Sequence, residues 1–257
     1  VSAVSAFLYN YKGNILEIDQ HVDQELGMFF MRASWELESF GLAKDSIEKV
    51  FREQVGDQFK MQFQLYFNTK KPKMAIFVSK QSHCLFDILS RYYSGQFEVE
   101  IPLVISNRED LRSLVESHGV KFLFLPVTSD TKASQEAEIL KQIEALNIDF
   151  VVLARYMQIL SANFCNTMPG KIINIHHSFL PGFKGAKPYH QAHERGVKII
   201  GASAHFVTSD LDEGPIIEQD VAHVTHNASA DELIAIGRDI ERRVLAKAVK
   251  FYADDKI

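Results

Sequence analysis

Apolar and polar residues in the amino-terminal quarter of the chain follow two different periods. Apolar side chains recur at helical spacing over residues 1–11 and 47–55. They alternate with polar side chains over residues 16–22, 29–35 and 61–67, as in half-buried strands. The order helix, strand, strand, helix, strand predicts a ferredoxin-like α+β unit whose first strand precedes the sequence given.

A short, charged, proline-containing segment at residues 69–73 predicts a boundary between two domains, residues 1–70 and 73–257. Beyond it, nearly continuous apolar runs alternate with helical patterns. The predicted strands cover residues 74–78, 99–105, 122–125, 150–153, 172–175 and 203–207. The predicted helices cover residues 84–93, 111–118, 134–146 and 231–251. This alternation predicts an α/β domain with a doubly wound, mostly parallel, Rossmann-like sheet.

The composition and charge of the chain argue against nucleic-acid binding, membrane insertion and a disulfide or metal framework. The 257 residues are 46% hydrophobic and 24% charged, with a net charge of −5, which predicts a globular protein without a basic surface for nucleic acid. Apolar runs are too short to span a membrane, so we expect no membrane partner. Cys84 and Cys165 lie far apart, which indicates neither a disulfide framework nor a metal site and fits the cytoplasm.

The loop after the first predicted strand of the second domain contains no glycine over residues 79–83. Phosphate-binding loops at this position use glycines, so a dinucleotide or Walker site is not expected. The segment is either a plain connection or a substrate-lining loop that uses Lys80 or His83.

Polar residues concentrate where a later predicted strand ends. Asn174 and His176 are two residues apart and therefore project from the same face, at the sheet edge where ligands bind. An amide beside an imidazole can hydrogen-bond a carbonyl oxygen that becomes negative. His205 lies on another strand, and the acids of the following turn, Asp210 and Asp212, are candidates to orient His176 or are simply turn-forming residues.

Together these segments carry a resemblance. The runs at 174–181, 205–207 and 211–215 resemble the folate-dependent formyltransferase family, in which this Asn, His and Asp form the catalytic trio. The resemblance implies catalytic roles for Asn174, His176 and Asp212. It also implies that the segment at 155–161 is the loop that holds the pteridine ring. The substrate-binding residues expected from it are Met157, Gln158, Ile159, Leu160, His205, Phe206, Val207 and His83. Core packing is the alternative for Met157 and Leu160.

The residues around His177 and the runs at 185–192 and 194–201 resemble the branch of the family that hydrolyses 10-formyltetrahydrofolate. That resemblance implies an ACT domain at residues 1–70, an amino-acid effector bound there, and a homo-oligomer. It further implies release of tetrahydrofolate and formate, which feeds purine synthesis and balances one-carbon pools. No metal and no cofactor beyond the folate substrate are expected.

Two alternatives remain open from the sequence. A glycinamide ribonucleotide formyltransferase would use the same trio but would pass the formyl group to an amine, and it would need a phosphate-binding loop. A folate- or amino-acid-binding regulator would keep the fold without turnover. The glycine-free loop and the intact trio favour hydrolysis.

Overall fold

The computed structural model describes residues 1–67, 70–182 and 188–257, with Pro188 described through its backbone alone. The chain divides into two compact units, Val1–Asn68 and Thr69–Ile257. Thr69 of the predicted linker and the first residues of the motif at 185–192 lie outside the described residues.

The amino-terminal unit contains two helices and an antiparallel hairpin. Its elements are α1 (Ser2–Asn10), β1 (Ile15–Asp23), β2 (Met28–Trp35) and α2 (Lys44–Phe51), followed by a π-helical turn at Arg52–Gly56. The tight connection of the hairpin contains Gly27 at a positive φ of 63°, which glycine adopts without steric cost. A small core formed by Phe7, Leu8, Phe40, Ile47 and Val55 holds the helices together.

Residues 61–67 differ from the prediction, because the structure assigns them to no strand. Their apolar side chains Met61, Leu65 and Phe67 nevertheless pack against the small core. Alternation of apolar and polar residues therefore indicates that one side of an extended segment is buried. It does not show that the backbone is hydrogen-bonded to a neighbouring strand. Within the described residues the sheet of this unit has two strands.

The second unit is built on a seven-stranded sheet in the described part of the chain, with the strand order β5-β4-β3-β6-β7-β8-β9. The strands are β3 (Lys73–Val78), β4 (Glu100–Ser106), β5 (Lys121–Phe124), β6 (Phe150–Leu153), β7 (Ile172–His176), β8 (Ile199–Phe206) and β9 (Ile216–His223). Pairing is parallel from β5 through β7 and antiparallel for β8 and β9. The prediction of a doubly wound, mostly parallel sheet is confirmed.

Helices cover both faces of this sheet. They are α3 (His83–Tyr93), α4 (Arg112–Ser117), α5 (Lys132–Leu146), α6 (Ala162–Thr167), α7 (Pro188–Glu194) and α8 (Ala230–Ala253). Alternate residues of β3 enter different cores: Ile76 and Val78 pack with α3 and α8, whereas Phe77 packs with α5 and α6. A strand buried on both faces must be apolar throughout, which explains the continuous runs in the sequence.

The sequence pattern does not predict α6, α7 or β9, which the structure contains. The two helices have six and seven residues, too few for helical periodicity to stand out. Strand β9 lies at the edge of the sheet and is only partly buried, so its polar residues obscure the alternation. Among the described helices, none combines the length and the apolar character needed to cross a membrane.

Candidate active site

A cavity of about 650 Å³ opens at the carboxyl ends of β3, β6 and β7. This is the edge of a parallel sheet where the strand termini leave space and unpaired polar groups. The cavity is lined by all three residues of the expected trio and by seven of the expected substrate-binding residues, Met157, Gln158, Ile159, Leu160, His205, Val207 and His83.

Strand pairing brings three of the polar residues together. Asn174 and His176 lie on β7, and the antiparallel register places His205 of β8 directly opposite Asn174. The amide Nδ2 of Asn174 lies 3.2 Å from Nε2 of His205. The other ring nitrogen of His205, Nδ1, donates a hydrogen bond to the carbonyl oxygen of Phe206 at 2.8 Å. Because Nδ1 carries that proton, Nε2 can accept from Asn174 and fix the amide orientation.

The turn after β8 brings Asp212 back to these residues. The backbone N–H of Phe206 donates to the carbonyl of Pro215 at 2.9 Å, which closes the turn against the strand. Gly214 is required there, since a Cβ atom would lie 1.8 Å from the carbonyl oxygen of Phe206. Asp212 has a positive φ of 56°, a conformation that Asp tolerates better than most residues.

Asp212 contacts both imidazoles. Its Oδ2 lies 3.3 Å from Nδ1 of His176, and its Oδ1 lies 3.6 Å from Nε2 of His205. The contact with His176, the largest cause, holds the pKa of the Asp212 carboxyl well below its usual range despite partial burial. Asp212 is therefore ionised at neutral pH, and it keeps a proton on Nδ1 of His176.

The outer ring nitrogen of His176 is left available. His176 is buried at 5% exposure, and its Nε2 has no hydrogen-bond partner among the described residues. Buried polar atoms are nearly always paired, so an unpaired nitrogen in a residue that lines a cavity indicates a place for a ligand atom. Nε2 of His176 and the second N–H of the Asn174 amide are suited to one carbonyl oxygen.

One side of the cavity is apolar. The loop after β6 presents Met157 and Ile159, both more than half exposed, to the cavity, while Leu160 is buried beneath. The backbone N–H of Met157 donates to Oγ of Ser79 at 3.0 Å, which ties this loop to the end of β3. A flat aromatic ligand fits such a surface because stacking on it requires no paired charge.

Phe206 departs from the expectation. It is not among the described residues that line the cavity, because alternation along β8 turns its side chain away from His205 and Val207. Its ring instead packs against Tyr252 of α8, with 6.2 Å between ring centroids. Only the backbone of Phe206 contributes to the site, through its hydrogen bonds to His205 and Pro215.

Comparison with known proteins agrees with this geometry. Residues 72–249 match the formyl transferase domain family. The chain belongs to the formyl transferase family. It is 48% identical to the formyltetrahydrofolate deformylase of Synechocystis sp., over 100% of this chain and 90% of that protein.

Solved structures give the same result. The crystal structure of a formyltetrahydrofolate deformylase from Pseudomonas syringae pv. tomato superposes with a TM-score of 0.93 at 42% identity, covering 99% of this chain and 85% of that one. A glycinamide ribonucleotide transformylase from Symbiobacterium toebii superposes with a TM-score of 0.70 at 29% identity, covering 75% of this chain and 92% of that one.

The other side of the cavity in this formyl transferase is polar. Glu241 of α8 is 1% exposed; its Oε2 lies 2.7 Å from Nε2 of His83, and its Oε1 accepts a hydrogen bond from the Tyr189 hydroxyl at 2.8 Å. Burial opposes ionisation of Glu241, but His83 and the charge of Arg155 outweigh it, so the pKa of its carboxyl is lowered. Burial also raises the pKa of the Tyr189 hydroxyl, which stays a proton donor.

Ligand atoms of His83, Cys84 and Glu241 lie within 4.8 Å of one another, a spacing that a metal ion could bridge. The donor set fits a metal poorly. Burial holds the pKa of the Cys84 thiol well above its usual value, whereas metals bind the thiolate. The Glu241 oxygen that would serve as ligand also lies 3.5 Å from Nε of Arg155, so a cation would stand beside a guanidinium.

Sequence reasoning missed the roles of Arg155, Tyr189 and Glu241. The sequence does contain an indication that Glu241 is buried. It shares the buried face of α8 with Leu233, Gly237 and Ile240. An acid on an apolar helix face is rarely left buried without a partner. Neither Arg155 nor Tyr189 carries a comparable signal, because each lies in a short segment without regular periodicity.

Proposed function

We propose that the protein hydrolyses 10-formyltetrahydrofolate to tetrahydrofolate and formate. The observation that carries this proposal is the contact network of Asn174, His176, His205 and Asp212, which opens onto a cavity with one apolar side. The identity to formyltetrahydrofolate deformylases along the whole chain supports the same reaction.

The trio can stabilise the charge that develops during attack on the formyl group. The Asn174 amide and Nε2–H of protonated His176 donate to the formyl oxygen as it becomes negative. Preorganised donors of this kind lower the barrier because they need no rearrangement when the charge forms. Oδ2 of ionised Asp212 lies 3.3 Å from Nδ1 of His176 and orients the imidazole for this role.

Asp212 also lines the cavity into which the formyl group and the attacking water would enter. Its lowered pKa makes it a weak base before the reaction begins. We therefore assign it first to positioning the water, with the proton leaving as the new carbon–oxygen bond takes shape. The bond between the formyl carbon and the folate nitrogen then breaks. One proton of the water ends on that nitrogen, the other is released, and formate leaves as an anion.

The apolar side of the cavity is the proposed site of the pteridine ring. The proposed lining residues of this site are Met157, Gln158, Ile159, Leu160 and Val207. The folate itself is the substrate, and we propose that the reaction needs no metal or further cofactor, since the trio supplies the donors that a Lewis acid would otherwise provide.

Glycinamide ribonucleotide formyltransferase is the second candidate, favoured by the structural likeness to the enzyme from Symbiobacterium toebii. Two features oppose it. The loop at 79–83 has no glycine that would let a phosphate approach the backbone closely. The side chain of His83 is also already hydrogen-bonded to Glu241 within the cavity.

The test is to incubate the purified protein with 10-formyltetrahydrofolate, with and without glycinamide ribonucleotide, and to measure formate and tetrahydrofolate. We expect formate in equal amount to tetrahydrofolate without any acceptor. Loss of the formyl group only with the nucleotide would replace the proposal by the transferase. Folate binding without loss would replace it by a regulator.

We further propose that the amino-terminal unit is an ACT-like regulatory domain that binds an amino-acid effector and pairs between subunits. Its order of elements supports this, as do exposed apolar side chains on the hairpin, Leu16, Val22, Phe29 and Phe30. We place the protein in the cytoplasm, where free thiols such as Cys84 and Cys165 persist. The formate released there would supply purine synthesis and balance one-carbon pools.

A further inference from the structure

Arg155 stands out among the residues that line the cavity. It lies two residues after the end of β6, with a positive φ of 64°, which is uncommon for a residue other than glycine. Its side chain is only 13% exposed, although arginine is seldom buried without a full set of partners. Unusual backbone conformations of this kind persist mainly where function requires the residue.

The guanidinium of Arg155 is incompletely paired. Its Nε lies 3.5 Å from Oε2 of Glu241, too far for a hydrogen bond. Both Glu241 oxygens are engaged elsewhere, by His83 and Tyr189. Neither Nε nor Nη1 of Arg155 therefore has a hydrogen-bond partner within the part of the chain that the structure describes.

Arg155 also lies at the reacting end of the cavity. Leu153 of β6 pairs with Asn174 of β7, and Arg155 follows Leu153 by two residues, just as His176 follows Asn174. Arg155 and His176 therefore come from the same edge of adjacent strands, and both line the cavity. A ligand held by Arg155 would therefore lie at the same edge of the sheet as Asn174 and His176.

We propose that Arg155 binds the carboxylate of formate, the anionic product, at a subsite of the cavity beside Asn174 and His176. The inference rests on the proposed hydrolysis, which turns a neutral formyl amide and water into an anion and a proton. A guanidinium matches a carboxylate in shape and charge, and such charge-assisted hydrogen bonds are stronger than neutral ones. His83 and Tyr189 occupy the two oxygens of Glu241, so neither oxygen pairs with Nη1 of Arg155.

The test of the subsite is isothermal titration calorimetry, in which sodium formate is added to the intact protein at constant ionic strength. We expect saturable binding to the wild-type protein, at least tenfold weaker binding to Arg155→Gln, and a smaller loss for Arg155→Lys, which keeps the charge but not the planar donors. Arg238→Gln is the matched control. Arg238 lines the same cavity, but its side chain reaches Gln81 at 3.4 Å, so formate affinity should not change.

Several outcomes overturn the proposal: no saturable formate binding to the wild type, equal affinity of wild type and Arg155→Gln, or tighter binding of inorganic phosphate than of formate. Thermal melting checks the fold of each variant. If Arg155→Gln does not fold, the formate affinity of Arg155→Lys is the deciding measurement. An affinity equal to that of the wild type would then refute the subsite. Formate titration needs no turnover, so failure of the hydrolysis assay and failure of this subsite are separate results.

Discussion

At the scale of single residues, Asp212 connects most of the site. It contacts His176 and His205 at once, and His205 in turn contacts Asn174. The motif in the sequence predicts catalytic roles for Asn174, His176 and Asp212 because they fall in short runs whose order is distinctive, and the structure brings all three to one cavity. It could not reveal that His205 contacts Asn174, since that follows from the antiparallel register of β7 and β8.

Replacement of Asp212 by Asn should keep the fold and abolish most of the turnover. Asn has the same size and also tolerates a positive φ, so the turn is retained. The loss of the negative charge weakens the contact that orients His176 and removes the carboxylate that positions water. We expect kcat to fall by roughly two to four orders of magnitude, with tetrahydrofolate affinity nearly unchanged.

The matched control is Asp210→Asn, which removes a charge from the same turn. Activity of Asp212→Asn within tenfold of the wild type would exclude Asp212 from the proposed chemistry. A similar loss in both variants would instead indicate a general effect of charge in this turn.

His177 gives a prediction about pH. Burial, followed by the charge of Arg155, lowers the pKa of His177 to about 3 from an ordinary value of 6.5. Between these two values the unfolded chain binds a proton that the folded chain does not, so this residue makes the protein less stable as pH falls from 6.5 towards 3. Above pH 6.5 it has no such effect.

The variant His177→Gln should therefore lose less stability on acidification. Urea unfolding at several values between pH 7 and pH 4 measures the difference. We expect the slope of the unfolding free energy against pH to decrease by up to about 1.4 kcal/mol per pH unit, the amount for one proton. Identical slopes for both proteins would contradict the neutral, buried state of His177.

At the scale of elements, the site depends on where strands end and how the next turn begins. The sequence predicted β3, β4, β5, β6 and β7 because strands buried on both faces are apolar throughout. It failed for residues 61–67 and for β9, where backbone pairing and side-chain burial do not coincide. Hydrogen bonds between strands join backbone groups that nearly all residue types share, so the order of side chains does not predict them directly.

Gly214 provides the test at this scale. A methyl group there would meet the carbonyl oxygen of Phe206, so Gly214→Ala must push the turn away from β8 and move Asp212 from the imidazoles. We expect a loss of kcat of at least tenfold together with a loss of stability. Gly27→Ala, in the hairpin of the other unit, is the control: it should cost stability because of its positive φ but leave kcat unchanged. An unchanged kcat in Gly214→Ala would mean that the turn does not fix Asp212.

At the scale of the whole molecule, the two-unit organisation predicted from the segment at 69–73 agrees with the division into Val1–Asn68 and Thr69–Ile257. The match to the formyl transferase family covers residues 72–249, which lie within the larger unit. The ACT-like nature of the smaller unit and its pairing between subunits stay predictions. Pairing between subunits depends on contacts with another chain. The only sign of such contacts in a single sequence is a set of apolar residues that the isolated chain leaves exposed.

Light scattering tests the pairing. Phe29 and Phe30 are each 47% exposed on β2, and we expect the intact protein to be at least a dimer that Phe29→Glu weakens. Tyr9→Glu is the control, because Tyr9 is an exposed aromatic residue on α1 in the same unit, outside the hairpin. A monomeric wild-type protein at micromolar concentration would contradict the prediction, and so would equal weakening by both variants.

The most direct test of the proposed chemistry follows the oxygen of water. The intact protein is incubated with 10-formyltetrahydrofolate in water enriched in ¹⁸O, without any amine acceptor, and the released formate is analysed by mass spectrometry. Attack of water on the formyl carbon predicts one ¹⁸O atom in each formate, formed at a rate that depends on Asp212. Formate without ¹⁸O, or no formate until an amine is added, would contradict hydrolysis at this site.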